Sequence, residues 1–344
     1  MSNMYLFSII STMLLVVFYK KSRHKKLCLG LIILMLVLIS GLRVDNTLYS
    51  DEWNYRYAFQ GYTKMNFNSL DLNILKEPGF TLLNYFIAQL TDNSQVLIFL
   101  CAFITNLSFV LFLHKYSNDF VFSLFLYITG GVYFSSMNII RQYLAIAIIL
   151  FGFKYLLTRD LKRFTPFVLI AFLFHKSAVI AFVFYFLINS SLISKHKIIS
   201  FFFIVFIFLN FNNLLILLSN SVYGNYVESF SSAGYGVGII RIAFWALLYL
   251  VILLFQRAKD INSIKEKFLN FIYTSLCILI LSAKYVYIAR LDYFDCCSSV
   301  VIPTIPYSFR EKKLVKMFLY LLFFIYGWYL TKSNHMTNIL FTFL

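Results

Sequence analysis

The chain has 344 residues, of which 61% are hydrophobic and 20% aromatic, while only 13% are charged. Because about a quarter of the residues in soluble globular domains are charged, this composition excludes them and indicates an integral membrane protein. The long apolar runs do not alternate as barrel strands do, so the spans are predicted to be helices. The formal net charge of +16 indicates Lys and Arg retained in cytoplasmic loops, and we expect no nucleic-acid partner.

Apolar runs predict helical spans along the whole chain. They cover residues 4–19, 27–42, 96–113, 120–137, 139–157, 198–219, 239–255, 268–286, 293–309 and 314–331. A further apolar run of 31 residues lies between Arg163 and Lys195, and its only His and Lys are the adjacent pair His175 and Lys176. This run is too long for one span of about 20 residues and too short for two spans with a loop, which need about 40.

Basic clusters set the predicted orientation, because cytoplasmic loops carry an excess of Lys and Arg. The clusters lie at 20–26, 154–163, 195–197, 256–267 and 310–316. Since clusters flank the 31-residue run on both sides, we predict a hairpin of two short helices, with its turn at Phe174 to Ser177 on the floor of an outward-facing depression. Counting this hairpin, the fold is predicted to be an all-α polytopic membrane protein with about twelve spans and both termini outside.

We predict a single integral membrane domain over residues 1–344, with two outer loops. The first covers residues 43–95 and contains "EPGFTLLNYFIAQLT", which is shorter than the roughly 20 residues of a span. It is predicted to form a short amphipathic outer helix at about residues 78–91, with Pro78 in its first turn. The second outer loop, 220–238, is rich in Gly, Ser and Tyr, a flexible composition.

Arginines at the outer ends of spans are the first candidates for chemistry. Arg141, Arg241 and Arg290 each lie where an apolar run begins or ends on the outer side. The planar guanidinium matches phosphate oxygens, and its cost near a bilayer argues against an idle role. The alternative is that these side chains extend to lipid headgroups.

The adjacent His175 and Lys176 suggest a base beside a phosphate partner. A neutral histidine can accept a proton from a hydroxyl near neutral pH. The alternative is a hydrogen-bonded histidine that stabilises a tight turn. A charged pair at membrane depth is tolerated where it lines a wet cavity or is paired within the bundle.

Two loop acids are candidates for catalysis, because each lies where a loop meets an apolar element. They are Asp45 and Glu77. Most of the other outer acids, a group that includes Glu52, are expected to solvate their loops. The two acids of "DYFD" at 292–295 are too weak a motif to indicate a metal pair, and we predict no metal and no cofactor.

Five blocks resemble the EpsG family of bacterial exopolysaccharide polymerases, a Wzy-type group. They are "GLRVDNTLYSDEWNYRYAF", "KEPGFTLLNY", "NIIRQYLAIAI", "LFHKSAVIA" and "ARLDYF", and they occur in that order between about Gly41 and Pro306. The first block departs from the commoner family pattern around Asp45, and the last two arginines, Arg241 and Arg290, match the family by position only.

The resemblance implies a multi-pass glycosyltransferase of the C type in the bacterial cytoplasmic membrane, with an active site facing the periplasm or exterior. It would join repeat units linked to undecaprenyl pyrophosphate. A lipid-linked donor agrees with the lack of a nucleotide-binding domain, and a pyrophosphate leaving group agrees with the arginines. A chain-length regulator and a flippase are the expected protein partners, with membrane lipid around the chain.

The resemblance also implies site roles. Arg141, Arg241 and Arg290 would hold the pyrophosphate with help from Lys176, and His175 would activate the acceptor hydroxyl, or hold the pyrophosphate if Glu77 or Asp45 is the base. The remaining substrate-binding candidates are Arg43, Gln142 and Tyr293. Tyrosines of the outer loops, Tyr223, Tyr226 and Tyr235 among them, would stack on sugar faces.

Three functions of other kinds stay open. A flippase for lipid-linked oligosaccharide also needs cationic residues within the membrane. A glycan acyltransferase also uses a histidine, but it takes a cytoplasmic acyl donor. An O-antigen ligase is chemically the nearest alternative.

Overall fold

The computed structural model is helical almost throughout. It describes residues 2–45, 51–189, 237–255, 263–283, 286–332 and 341–342, with single positions between 196 and 210. The described α-helices, numbered in chain order, are α1 (Ser2–Lys21), α2 (Lys25–Gly41), α3 (Asp51–Tyr62), α4 (Pro78–Ala88), α5 (Gln95–Tyr116), α6 (Phe120–Thr129), α7 (Val132–Asn138), α8 (Ile140–Phe151), α9 (Phe153–Leu157), α10 (Leu161–Phe174), α11 (Ile180–Asn189), α12 (Ile239–Phe255), α13 (Ile264–Leu281), α14 (Val286–Ala289), α15 (Cys296–Val301) and α16 (Lys312–Lys332).

Short elements connect these helices. The 3₁₀ turns are Phe67–Ser69, Ile74–Lys76, Lys176–Val179 and Ile302–Ser308. A two-residue antiparallel pair joins β1 (Val44–Asp45) to β2 (Phe341–Thr342). Most of the predicted span 198–219 and nearly all of the predicted loop 220–238, with Tyr223, Tyr226 and Tyr235, lie outside the described residues.

The chain divides into two units. The first comprises Met1–Val179 with Ile302–Leu344, and the second comprises Ile180–Val301. In the first, α2 packs on α5, α5 on α8 and α8 on α10. Polar groups inside this stack are paired: Asn106 of α5 donates to Ser40 Oγ of α2 at 3.0 Å, and Ser108 donates to the carbonyl of Ala147 in α8 at 2.8 Å. Such bonds hold helices together where water is excluded.

Aspartates begin two helices of the first unit. The carboxylate of Asp119 accepts the N–H of Phe122 at 3.2 Å, and that of Asp160 accepts the N–H of Arg163 at 3.1 Å. Each satisfies one of the free N–H groups in a first helical turn, which stabilises a helix by about 1 kcal/mol. Asp119 also forms an ion pair with Lys316 of α16.

Three described helices are long and apolar enough to cross a membrane. They are Met4–Lys21, Gln95–Tyr116 and Lys312–Thr331, and α6 with α7, bent by 46°, makes a fourth if the two count as one span. These coincide with the predicted spans 4–19, 96–113, 314–331 and 120–137. The several apolar helices are those of a membrane protein, and the count of about twelve spans stays a prediction.

The 31-residue apolar run breaks where predicted. Helix α10 ends at Phe174, His175 has extended backbone, and the 3₁₀ turn Lys176–Val179 precedes α11. The N–H of His175 donates to the carbonyl of Ala171 and closes the last turn of α10. Helix α10 therefore ends at the predicted turn, Phe174 to Ser177, while the hairpin of two short spans and the outward-facing depression stay predictions.

The second unit is built around α13, which packs against α11, α12, α14 and α15. Three phenylalanines form the centre of its core: the ring centroid of Phe294 lies 4.9 Å from that of Phe184 and 4.8 Å from that of Phe271. All three are fully buried. Such edge-on and tilted contacts add to the free energy gained by burying the rings.

Candidate active site

The carboxylate of Glu77 is the centre of an ionic cluster in the first unit. Glu77 directly precedes Pro78, the first residue of α4, and its backbone is left-handed, with φ 59° and ψ 57°. This conformation costs a non-glycine residue about 1 to 3 kcal/mol. It is one of two non-glycine residues with positive φ in the described part of the chain. Surrounding contacts must therefore hold it in place.

Three donors from distant parts of the chain meet this carboxylate. The Nη1 of Arg141, at the start of α8, lies 2.5 Å from Glu77 Oε2. The Nδ1 of His175 lies 2.8 Å from Oε1, and the backbone N–H of Lys176 donates to the same oxygen at 3.2 Å. The side chain of Glu77 is 6% exposed, that of His175 22% and that of Arg141 41%. The carboxylate is thus enclosed, while its two side-chain partners remain accessible.

Aromatic rings flank the Arg141 guanidinium. Its Cζ lies 5.4 Å from the ring centroid of Tyr55 in α3 and 5.8 Å from that of Phe80 in α4. These two rings pack edge to face, with centroids 5.6 Å apart. Cation–π contacts of this kind orient a guanidinium and add to its binding. The Nε of Arg141 is buried and has no hydrogen-bond partner among the described residues.

A glycine brings the two supporting helices together. A Cβ on Gly79 would lie 2.9 Å from Leu173 Cβ and 3.0 Å from the Leu173 carbonyl oxygen. Only glycine fits this approach without a shift, because part of the opposing surface is backbone. The first turn of α4 is therefore pressed against the last turn of α10, which places Glu77 beside His175.

The charge state of Glu77 follows from two opposing effects. Burial raises the pKa of this carboxyl, but the hydrogen bond from His175 and the positive charge of Arg141 outweigh it, and the pKa is lowered from its ordinary value. The first turn of α4 also favours a negative charge, because the positive end of the helix dipole lies there. Glu77 is ionised at neutral pH.

The sequence model of the EpsG family matches residues 26–343, nearly the whole chain. The chain belongs to the EpsG family. This is a Wzy-like family of exopolysaccharide polymerases, so membership indicates a polysaccharide polymerase that acts on lipid-linked oligosaccharides in a membrane. No curated protein and no solved structure matches the chain.

Arg43 of this EpsG-family chain belongs to a separate buried cluster. Its Nε lies 2.6 Å from Glu52 Oε2, and its other nitrogens donate to the carbonyls of Ser40 and Met137. Arg56 lies 2.6 Å from the other oxygen of Glu52. The side chains of Arg43 and Glu52 are each 2% exposed. The cluster joins α3 to the end of α2 and to α7.

Glu52 is therefore an exception to the expectation that most outer acids solvate their loops. A carboxylate that pairs with two guanidiniums is stable in the interior, because its charge is compensated there. The sequence signal for pairing of Glu52 was its spacing from Arg56, which lies four residues later on the same helix.

The remaining predicted site residues lie elsewhere. In the first unit, Gln142 is buried beside Arg141, and the side chain of Asp45 is outside the described residues. In the second unit, Arg241 and Arg290 are exposed and Tyr293 is fully buried. Among the described residues, no group of three or more His, Cys, Asp or Glu has the arrangement of a metal site.

Two contributors to the candidate site carried no sequence signal strong enough to select them. Tyr55 is one of several aromatic residues in "EWNYRYAF", and only the fold selects it as the ring beside Arg141. Gly79 resembles any glycine after a proline, until Leu173 is found against it.

Proposed function

We propose that this protein is a C-type membrane glycosyltransferase that joins undecaprenyl-pyrophosphate-linked repeat units at the outer face of the bacterial cytoplasmic membrane. The observation that carries the proposal is the Glu77 cluster, which holds a partly exposed guanidinium and a partly exposed imidazole on one carboxylate. Transfer from a pyrophosphate requires a cation for the leaving group and a base for the acceptor.

His175 is the base in this proposal. A carboxylate only accepts hydrogen bonds, so Nδ1 of His175 carries the proton that it shares with Glu77 Oε1. In the neutral imidazole, Nε2 is then the proton acceptor. Glu77 fixes the tautomer and the ring orientation, as a carboxylate partner does for other catalytic histidines.

Arg141 binds the donor in this proposal. Only one of its N–H groups has a hydrogen bond to Glu77, and a guanidinium presents five in a planar fork. Its Nε is buried and Tyr55 also contacts the guanidinium, so the exposed Nη groups are the ones suited to the pyrophosphate oxygens, whose charge grows as the glycosidic bond to phosphate breaks. Lys176 is proposed as a further cationic contact.

The proposed reaction balances without another reactant. The acceptor hydroxyl loses its proton to His175 Nε2, and its oxygen forms the new bond to the donor anomeric carbon. The bond from that carbon to the phosphate oxygen breaks, and its electron pair leaves with undecaprenyl pyrophosphate. Arg141 stabilises that leaving group.

Surface glycan from a deletion strain tests the proposal. The strain is complemented with wild type, Arg141→Ala or His175→Ala, with the exposed Arg163→Ala and His24→Ala as matched controls. We expect a polymer ladder with wild type and both controls, and a single repeat unit without a ladder for the two site variants at equal membrane abundance.

A full ladder in Arg141→Ala would overturn the donor-site assignment, and a full ladder in His175→Ala would overturn the base. Complete loss of surface glycan in the deletion strain, with lipid-linked units accumulating, would instead indicate a flippase or a ligase.

A further inference from the structure

The two oxygens of Glu77 are bound unequally. Oε1 accepts from both His175 Nδ1 and the backbone N–H of Lys176, at 2.8 and 3.2 Å. Among the described residues, only Arg141 Nη1 donates to Oε2. If Arg141 changed partner, Oε1 would still hold the carboxylate in place. The cluster can therefore lose the arginine bond without losing the histidine bond.

The guanidinium of Arg141 is the accessible partner of this pair. Its side chain is 41% exposed, against 6% for Glu77. A phosphate approaching Arg141 meets a cation that Glu77 already neutralises. Two anions on one guanidinium repel each other, so the carboxylate and the phosphate compete.

From this geometry we infer that Glu77 Oε2 occupies, in the donor-free protein, the position on Arg141 that a phosphate oxygen of the donor takes. This rests on the proposed function. Donor binding exchanges the carboxylate for phosphate on Arg141, while Oε1 keeps His175 in its orientation. After transfer, the carboxylate returns to Arg141 and favours release of the pyrophosphate product.

Competition predicts that removing the charge of Glu77 strengthens anion binding. In Glu77→Gln the amide oxygen can replace Oε1 towards His175 and Lys176, while the negative charge beside Arg141 is lost. Two unit charges about 4 Å apart interact by about 1 kcal/mol in water and more near a protein surface, which corresponds to at least about fivefold in affinity.

The experiment measures the Kd of inorganic pyrophosphate for the full-length protein in detergent by isothermal titration calorimetry. The proteins are wild type, Glu77→Gln, Arg141→Ala and the double variant. Asp119→Asn is the matched control, since it also removes a carboxylate from a cation, Lys316, and asparagine still begins a helix.

We expect Glu77→Gln to bind pyrophosphate at least about fivefold more tightly than wild type, Asp119→Asn to bind as wild type, and Arg141→Ala to bind weakly. The gain should vanish in the double variant. Equal or weaker binding by Glu77→Gln, with Arg141→Ala still impaired, overturns the exchange and leaves the donor site standing. Unchanged binding by Arg141→Ala overturns the donor site itself.

Discussion

Gly79→Ala should disable the candidate site without removing any of its side chains. The added Cβ would lie 2.9, 3.0 and 3.1 Å from the Cβ, carbonyl oxygen and carbonyl carbon of Leu173. Carbon atoms pack at about 3.5 to 4.0 Å, so α4 and α10 must separate by about 0.5 to 1 Å. Two of the opposing atoms are backbone and cannot rotate away. Overpacking of this kind costs about 1 to 3 kcal/mol.

The same separation acts on the bond between Glu77 and His175. That bond is 2.8 Å long, and a shift of about 0.5 to 1 Å takes it beyond hydrogen-bond range. A misplacement of about 1 Å in a catalytic group can lower a rate by about a hundredfold. We therefore expect Gly79→Ala to lose most polymer synthesis while remaining folded.

The assay compares polymer yield and length in strains carrying Gly79→Ala or Gly61→Ala, together with the thermal unfolding of each purified variant. Gly61 is a matched control on α3, because a Cβ there meets nothing within 4 Å. Wild-type polymer in Gly79→Ala would refute the positioning argument. So would a polymer loss no larger than the loss of folded protein.

Two further predictions concern buried charge. Glu52→Gln should lower the free energy of unfolding by about 3 to 5 kcal/mol, because Arg43 is left buried with its charge uncompensated. Denaturant unfolding measures this change. The control is Asp71→Asn, which removes a carboxylate from an exposed pair with Lys76 and should show no measurable change. Equal effects of these two substitutions would contradict the buried-cluster assignment. The second prediction follows from the lowered pKa of Glu77: its stabilisation is present above the ordinary carboxyl pKa of about 4.3 and is lost as pH falls through the lower folded value. The midpoint temperature of thermal unfolding should fall between pH 7 and lower pH in wild type, and it should fall less in Glu77→Gln. Equal falls in the two proteins would refute this prediction.

The helix break and the residues of the Glu77 cluster could be selected from the sequence, but their convergence could not. The length of the 31-residue run between basic clusters was enough to place the break near His175. Glu77 and Arg141 were selected because each lies at the edge of an apolar element. The pairs in the cluster are separated by 64 and 98 residues, and no local pattern specifies contacts at that range.

The buried ion pair of Glu52 and Arg43 was harder to anticipate. Glu52 lies in a polar segment, where an acid is expected to face water. Its burial depends on Arg43, which the fold brings to it from the end of α2. The helix count was also hard to predict. The apolar run 139–157 is divided at Gly152 into α8 and α9, and composition alone does not reveal such divisions.

At Glu77 the backbone strain of a left-handed conformation and the contacts of the carboxylate belong to the same residue. Glycine adopts this conformation without steric cost, so Glu77→Gly would relieve backbone strain of about 1 to 3 kcal/mol. It would also leave Arg141 and His175 without the carboxylate that joins them. Relief of the backbone strain and retention of the carboxylate contacts therefore exclude each other at this position. Position 77 should be held fixed when this membrane protein is engineered for stability.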